Sequence, residues 1–74
     1  MDFSYDYQIG QKIRSLRLAQ SLSQEQLAAK LQTAGCDITR SGLAKIEAGQ
    51  RHLYAAEIRA LHLVLGVPYD ALFV

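Results

Sequence analysis

Apolar residues recur at helical intervals along most of the chain, and the alternation typical of strands is rare. The first predicted helix runs from about Tyr7 to Ser21. Its inward positions are Ile9, Ile13, Leu16 and Gln20. The spacing of these residues predicts an amphipathic helix with one buried side.

A second helix is expected to follow directly. Ser23 is a favourable N-cap, and Gln26 three residues later completes a capping-box pattern. The inward positions of this helix are Leu27, Leu31 and Ala34. Gly35 suits its end, because glycine tolerates the left-handed conformation that often terminates a helix.

Three more helices are predicted: Thr39 to Gly49, Tyr54 to Leu65, and Pro68 to about Phe73. Thr39 suits an N-cap, and Gly66 suits the end of the fourth helix. Their inward positions are Leu43, Ile46, Ile58, Leu61 and Leu65. The predicted fold is all-α, a five-helix orthogonal bundle over residues 9–74 that follows an N-terminal tail of residues 1–8.

Composition fits one small domain, since 50% of the 74 residues are hydrophobic. Cys36 is the single cysteine, which excludes an internal disulfide framework and a multi-cysteine metal site and favours a reducing compartment. No apolar run approaches the roughly 20 residues that cross a bilayer. We expect a soluble cytoplasmic protein with no membrane contact, no metal and no cofactor.

Charge says little by itself, because 8 basic and 7 acidic residues leave a net charge of +1. The distribution is more informative, since Arg40, Lys45 and Arg51 lie within twelve residues and Glu47 is the only acid among them. This clustering is compatible with a local basic face.

The third predicted helix has two distinct sides when its residues are placed at about 100° per step. Its outward side carries Arg40, Ser41, Ala44, Lys45 and Ala48. Small residues permit close approach and the two long donors can reach base edges, as a helix in the major groove of DNA requires. An ordinary solvated face explains the same pattern equally well.

Glu47 falls near the border of the inward side, where an unpaired carboxylate is costly. Arg17, which flanks the inward stripe of the first helix, is the expected partner, because a bidentate pair would neutralise the acid and connect two helices. The alternative is that the two residues are unrelated surface charges.

The chain resembles the Cro and lambda-repressor-like helix-turn-helix family from Ile9 to Phe73. The matching segments are Ile9-Gly10, Ile13-Arg14, Leu16-Arg17, Leu22 to Ala28, Thr39 to Arg51, Leu65 to Pro68 and Asp70 to Phe73. The resemblance implies a lambda repressor-like fold and sequence-specific binding to double-stranded DNA. It also implies a transcriptional regulator, usually a repressor that acts as a homodimer on a palindromic operator.

The resemblance also implies roles for individual residues. The positions expected to contact DNA are Gln24, Thr39, Arg40, Ser41, Ala44, Lys45, Gln50 and Arg51. Gln24 would bind a phosphate, Arg40, Ser41 and Lys45 would face bases, and Ala44 would lie against the groove or a thymine methyl group. Thr39, Gln50 and Arg51 would face the DNA backbone. The family's arginine–glutamate pair corresponds to Arg17 and Glu47.

Two features depart from the family pattern. The connection between Leu31 and Ile38, which includes Gln32 to Asp37, is about five residues longer than the usual tight turn. Gly42 lies early in the third predicted helix, which the resemblance implies is the recognition helix that enters the major groove. A glycine there lowers helix stability by up to about 1 kcal/mol relative to alanine. We expect a longer second helix and a larger connection.

Other functions compete with DNA regulation. An enzyme is not expected, because His52, His62 and Cys36 fit no common metal or nucleophile motif. An antitoxin-like or protein-interaction module with the same fold and a protein partner remains the alternative. The predicted dimer contacts are Leu72, Phe73 and Val74, which are apolar and are the last three residues of the sequence.

Overall fold

The computed structural model describes residues 4–73 and holds, within that range, four α-helices, one turn of 3-10 helix and no strand. The helices are α1 (Ser4–Ala19), α2 (Gln24–Thr33), α3 (Arg40–Glu47) and α4 (Ala55–Leu65), and the 3-10 turn is Tyr69–Ala71. The all-helical class is confirmed. The predicted five-helix count is not confirmed, because the segment after Pro68 forms a single turn of 3-10 helix. No helix in residues 4–73 is long and apolar enough to cross a membrane.

Helix α1 begins earlier than the sequence predicts, at Ser4 instead of about Tyr7. Residues 4–8, expected in an N-terminal tail, are therefore helical. Contacts with the chain that follows α3 account for this: Asp6 Oδ2 lies 2.8 Å from His52 Nδ1, and the backbone of Tyr7 packs against Gly49. These contacts are distant in sequence, so the local pattern gives no sign of them.

The N-termini of α2 and α3 are capped as predicted. Ser23 Oγ accepts a hydrogen bond from the backbone N–H of Gln26 at 3.0 Å, and Gln26 Oε1 accepts one from the N–H of Ser23 at 2.8 Å. Thr39 Oγ1 accepts from the N–H of Gly42 at 3.0 Å. These bonds satisfy donors that the first turn of a helix leaves without an intrahelical partner.

The core lies between α1, α2, α3 and α4, with α3 packed against both α1 and α2. The largest fully buried side chains are Ile13, Leu27, Leu31, Leu43, Ile46, Leu61 and Leu72. The connection between α2 and α3 contributes Ile38, which is 4% exposed and whose carbonyl accepts from Gln32 Nε2 at 2.6 Å. Ala34, predicted to face inward, is exposed instead.

Polar contacts hold the C-terminal part of the fold against α1 and α4. Gln20 Nε2 donates to the carbonyl of Leu65 at 2.7 Å. His62 Nδ1 lies 2.6 Å from the carbonyl of Val67, and its ring stacks on Tyr69 with centroids 4.0 Å apart. The chain thus returns after α4 so that Leu72 enters the core.

Gly10 permits the close approach of α1 to the end of α3. A Cβ atom at this position would lie 2.8 Å from the carbonyl oxygen of Glu47 and even closer to that of Ile46. Both obstacles are backbone atoms, which cannot move without displacing α3. The absence of a side chain at Gly10 therefore sets the distance between the two helices.

We expect Gly10→Ala to lower the free energy of unfolding by about 1–3 kcal/mol, because overpacking outweighs the gain in helix propensity. Gly42→Ala is the control, since a Cβ there would meet only side-chain atoms, of Ile38 at 3.3 Å and of Thr39 at 3.5 Å. Urea denaturation followed by circular dichroism measures both. Equal stability of the two variants would contradict the close approach.

Candidate nucleic-acid interface

Helix α3 presents cations and small side chains together on its outward side. Arg40, Ser41 and Lys45 are exposed, and Ala44 is half-buried. The buried residues of α3 are Leu43, Ile46 and Glu47. The helix therefore has the two sides that its sequence predicts, and its core side is fixed against α1 and α2.

The two cations on α3 are available to a partner. None of the ion pairs among residues 4–73 involves Arg40 or Lys45. Thr39 uses its hydroxyl oxygen as the cap and keeps its hydroxyl hydrogen for donation. Gln50 is exposed just after the glycine that ends α3. Contact between these residues and DNA stays a prediction.

The ion pair expected between Arg17 and Glu47 is present and buried. Arg17 Nε donates to Glu47 Oε2 at 2.7 Å, and Nη2 donates to Oε1 at 2.9 Å. The two residues are 6% and 3% exposed. Arg17 Nη1 also donates to the carbonyl of Leu22 at 2.8 Å. The bond to Glu47 raises the pKa of Arg17, so the guanidinium stays charged and joins α1, α3 and the loop before α2.

Two glutamines attach to the same end of α3. Gln11 Nε2 of α1 donates to the backbone carbonyl of Glu47 at 3.0 Å. Gln24 Nε2 of α2 donates to Glu47 Oε1 at 3.2 Å. Gln24, predicted to bind a phosphate, is therefore half-buried and already holds one hydrogen bond within the protein.

Arg51 has a protein partner that the sequence analysis missed. Its Nη1 donates to Glu57 Oε1 at 2.8 Å, and its Nη2 lies 2.5 Å from Glu57 Oε2. The guanidinium also lies 5.3 Å from the ring centroid of Tyr54, a cation–π geometry. A phosphate contact by Arg51 would have to compete with Glu57, so Arg51 contributes less to a basic face than its position in the chain suggests.

A signal for this second pair exists in the sequence. Glu57 falls on the inward side of the fourth helix, with Leu61 and Leu65, where a carboxylate needs a cation. The argument that identified Arg17 for Glu47 also predicts a cation for Glu57, and the structure shows that this cation is Arg51. Glu57 Oε1 also accepts the backbone N–H of Tyr54 at 2.9 Å, so the pair fixes the loop between α3 and α4.

The three predicted dimer contacts differ in their surroundings. Leu72 is 2% exposed and belongs to the core, so its assignment as a dimer contact is wrong. Phe73 is 40% exposed, and Val74 lies outside the described residues.

The fold and the exposed α3 are those of a helix-turn-helix DNA-binding domain. The family model for helix-turn-helix domains matches residues 13–72, which is most of the chain. The protein belongs to the Cro and lambda-repressor-like helix-turn-helix family of DNA-binding transcription regulators.

A solved relative supports the same assignment. The chain is similar to the restriction-modification controller protein C.AhdI from Aeromonas hydrophila, whose crystal structure superposes with a TM-score of 0.85 at 32% sequence identity. The match covers 96% of each chain. No match was found among curated proteins.

The Arg51–Glu57 pair should make stability sensitive to acid. Hydrogen bonding to Arg51 holds the pKa of Glu57 below its ordinary value of 4.5 in the folded protein. Folding therefore favours the ionised carboxylate, so this stabilisation is complete well above pH 4.5 and is lost as the pH falls through the lowered pKa. Glu57→Gln should be less stable than the wild type at pH 7, and the difference should shrink in acid.

Urea unfolding at a series of pH values measures this difference. Glu25→Gln, which removes an exposed carboxylate from α2, corrects for the general effect of losing an acid. A deficit for Glu57→Gln that stays constant from pH 7 to acid would contradict the assignment.

Proposed function

We propose that this protein binds duplex DNA sequence-specifically with α3 in the major groove and represses transcription at the operator it occupies. The observation that carries the proposal is the outward side of α3, where unpaired Arg40 and Lys45 flank Ser41 and Ala44. The major groove admits one α-helix and displays a distinct donor and acceptor pattern for each base pair. Similarity to a restriction-modification controller protein supports the regulatory role.

In this proposal the side chains divide by reach and polarity. Arg40 and Lys45 donate to base edges, with guanine O6 and N7 the best bidentate acceptors for arginine. Ser41 and Ala44 allow the helix axis to approach the bases, and Ala44 suits contact with a thymine methyl group. The DNA backbone is bound by Thr39, Gln50 and Gln24. These contacts fix the position of the protein on the duplex and carry no sequence preference.

The charge distribution predicts a moderate salt dependence. Each phosphate neutralised by a cation releases counterions, and this release sets the slope of affinity against salt concentration. The net charge is +1, and Arg17 and Arg51 are engaged with Glu47 and Glu57. On and directly after α3, only Arg40 and Lys45 are therefore left without an ion pair, so the local basic face is small.

Arg40→Ala should weaken binding to the preferred site by about 1–3 kcal/mol and relax preference at one base pair. In vitro selection from random duplexes supplies the site, and fluorescence anisotropy supplies the affinities. Lys30→Ala is the control, because Lys30 is an exposed cation of α2 on the side near Val64 of α4. An equal loss on every DNA sequence would refute base reading by Arg40.

We propose further that two copies act as a symmetric dimer on inverted half-sites. One recognition helix reads too few base pairs for useful specificity, whereas two helices spaced by about 34–36 Å read half-sites one duplex turn apart. The exposed apolar side chains in the C-terminal part of the fold are Leu63, Tyr69 and Phe73. Because Leu72 is in the core, Phe73 is the residue left for the contact among the described terminal residues.

Phe73→Asp should dissociate the dimer and weaken operator binding without altering the helical circular dichroism signal. Leu72→Asp, one residue away, should instead unfold the domain, because it places a carboxylate in the core. Sedimentation equilibrium measures the dimer, and anisotropy on operators with half-sites moved by five base pairs measures the spacing requirement. A wild-type monomer at high micromolar concentration that binds DNA regardless of spacing would exclude the dimer and favour the protein-interaction module.

A further inference from the structure

The Glu47 carboxylate serves two elements at once. Both of its oxygens accept from Arg17, at 2.7 and 2.9 Å, and Oε1 also accepts from Gln24 Nε2 at 3.2 Å. Glu47 is the last residue of α3, and Gln24 is the first residue of α2. The ion pair that holds α1 to α3 therefore also holds a side chain at the start of α2.

The chemistry of the two groups fixes the orientation of the amide. An ionised carboxylate only accepts hydrogen bonds, whereas a glutamine amide has two N–H donors on nitrogen and an acceptor on oxygen. Gln24 must therefore turn its nitrogen towards Glu47, which uses one of its two N–H groups. The other N–H remains for a second acceptor, and a phosphate oxygen accepts such a bond.

Gln24 lies at the edge of the proposed interface. Its amide reaches the end of α3, and its side chain is only half-buried. Without Glu47, the amide would be free to rotate and to present its oxygen, which an anionic phosphate repels. When Glu47 holds the amide nitrogen in place, binding to DNA costs less side-chain entropy. The same contact keeps the amide oxygen from facing the phosphate.

We propose that Glu47 is a positioning residue for DNA binding, in that its carboxylate holds the Gln24 amide with the nitrogen inward and leaves one N–H for a DNA phosphate. This inference rests on the proposed function. It gives the buried Arg17–Glu47 pair a role in affinity as well as in stability. Because Gln24 is neutral, the contact releases no counterion.

The test is a double-mutant cycle on DNA affinity with Gln24→Met, Glu47→Gln and the double variant. Methionine keeps the length of the side chain and removes both donors. Glutamine at position 47 keeps one accepting oxygen and loses the negative charge, so the two Arg17 donors and the Gln24 N–H compete for that oxygen and the hold on Gln24 weakens. Gln24→Met should weaken binding by about ten- to a hundredfold, the range for a hydrogen bond to a charged group.

Coupling between the two positions is the deciding result. If Glu47 acts through Gln24, Glu47→Gln should cost clearly less affinity in the Gln24→Met background than in the wild type. Gln24→Met should also leave the slope of affinity against salt unchanged, because a neutral side chain releases no counterion. If the fold-losses of affinity of the two single variants simply multiply in the double variant, the positioning role is overturned. A smaller slope of affinity against salt for Gln24→Met would overturn it as well.

A measurement on the wild-type protein covers the case in which Glu47→Gln does not fold. Side-chain amide signals in nitrogen-15 spectra report hydrogen exchange, and the Gln24 amide should exchange more slowly than that of exposed Gln8 in α1. Addition of operator DNA should shift the Gln24 signals and leave those of Gln8 in place. Equal exchange at the two residues, or no shift with DNA, would overturn the inference.

Failure of the inference and failure of the proposed function are distinguishable. If the wild type selects no sequence from random duplexes, DNA recognition itself fails. If it selects an operator and the cycle shows no coupling, DNA recognition stands and Glu47 acts on stability alone.

Discussion

The burial of Glu47 is the constraint on which the arrangement of the recognition helix depends. A carboxylate that is 3% exposed requires a cation and a full set of hydrogen bonds, because desolvation of an unpaired charge costs several kcal/mol. Arg17 can supply both only if α1, the loop at Leu22 and the end of α3 meet at one place. A hydrophobic pair would fill the same volume without this geometric demand, so the ion pair contributes orientation more than net stability.

The short length of α3 explains why its orientation has to come from its neighbours. A helix of 8 residues is not stable alone in water, so its conformation and its direction are both set by packing. Leu43 and Ile46 anchor its inner side, Gly10 sets its distance from α1, and Glu47 sets its rotation. These inner contacts therefore determine where the outward side chains of α3 lie.

Local patterns in the sequence predicted most of the helices and one of the three ion pairs found among residues 4–73. The caps at Ser23 and Thr39 depend on residues three positions apart, so a local pattern contains them. The extra length of α1 depends on contacts of Asp6 and Tyr7 with residues more than 40 positions away. The burial of Leu72 likewise depends on where the turn after α4 returns the chain, which the apolar character of the terminal residues does not reveal.

The two buried acids use the same chemistry for opposite purposes in the candidate site. Glu47 takes Arg17, a cation that lies outside the recognition segment, and so leaves the charges of Arg40 and Lys45 free. Glu57 takes Arg51, a cation four residues after the end of α3, and binds it to α4 and to the loop between α3 and α4. A count of basic residues near α3 therefore overstates the charge that DNA can meet. Because Arg40 and Lys45 are the two unpaired cations on α3, this helix is better suited to contact base edges with closely fitted small side chains than to attract phosphate broadly.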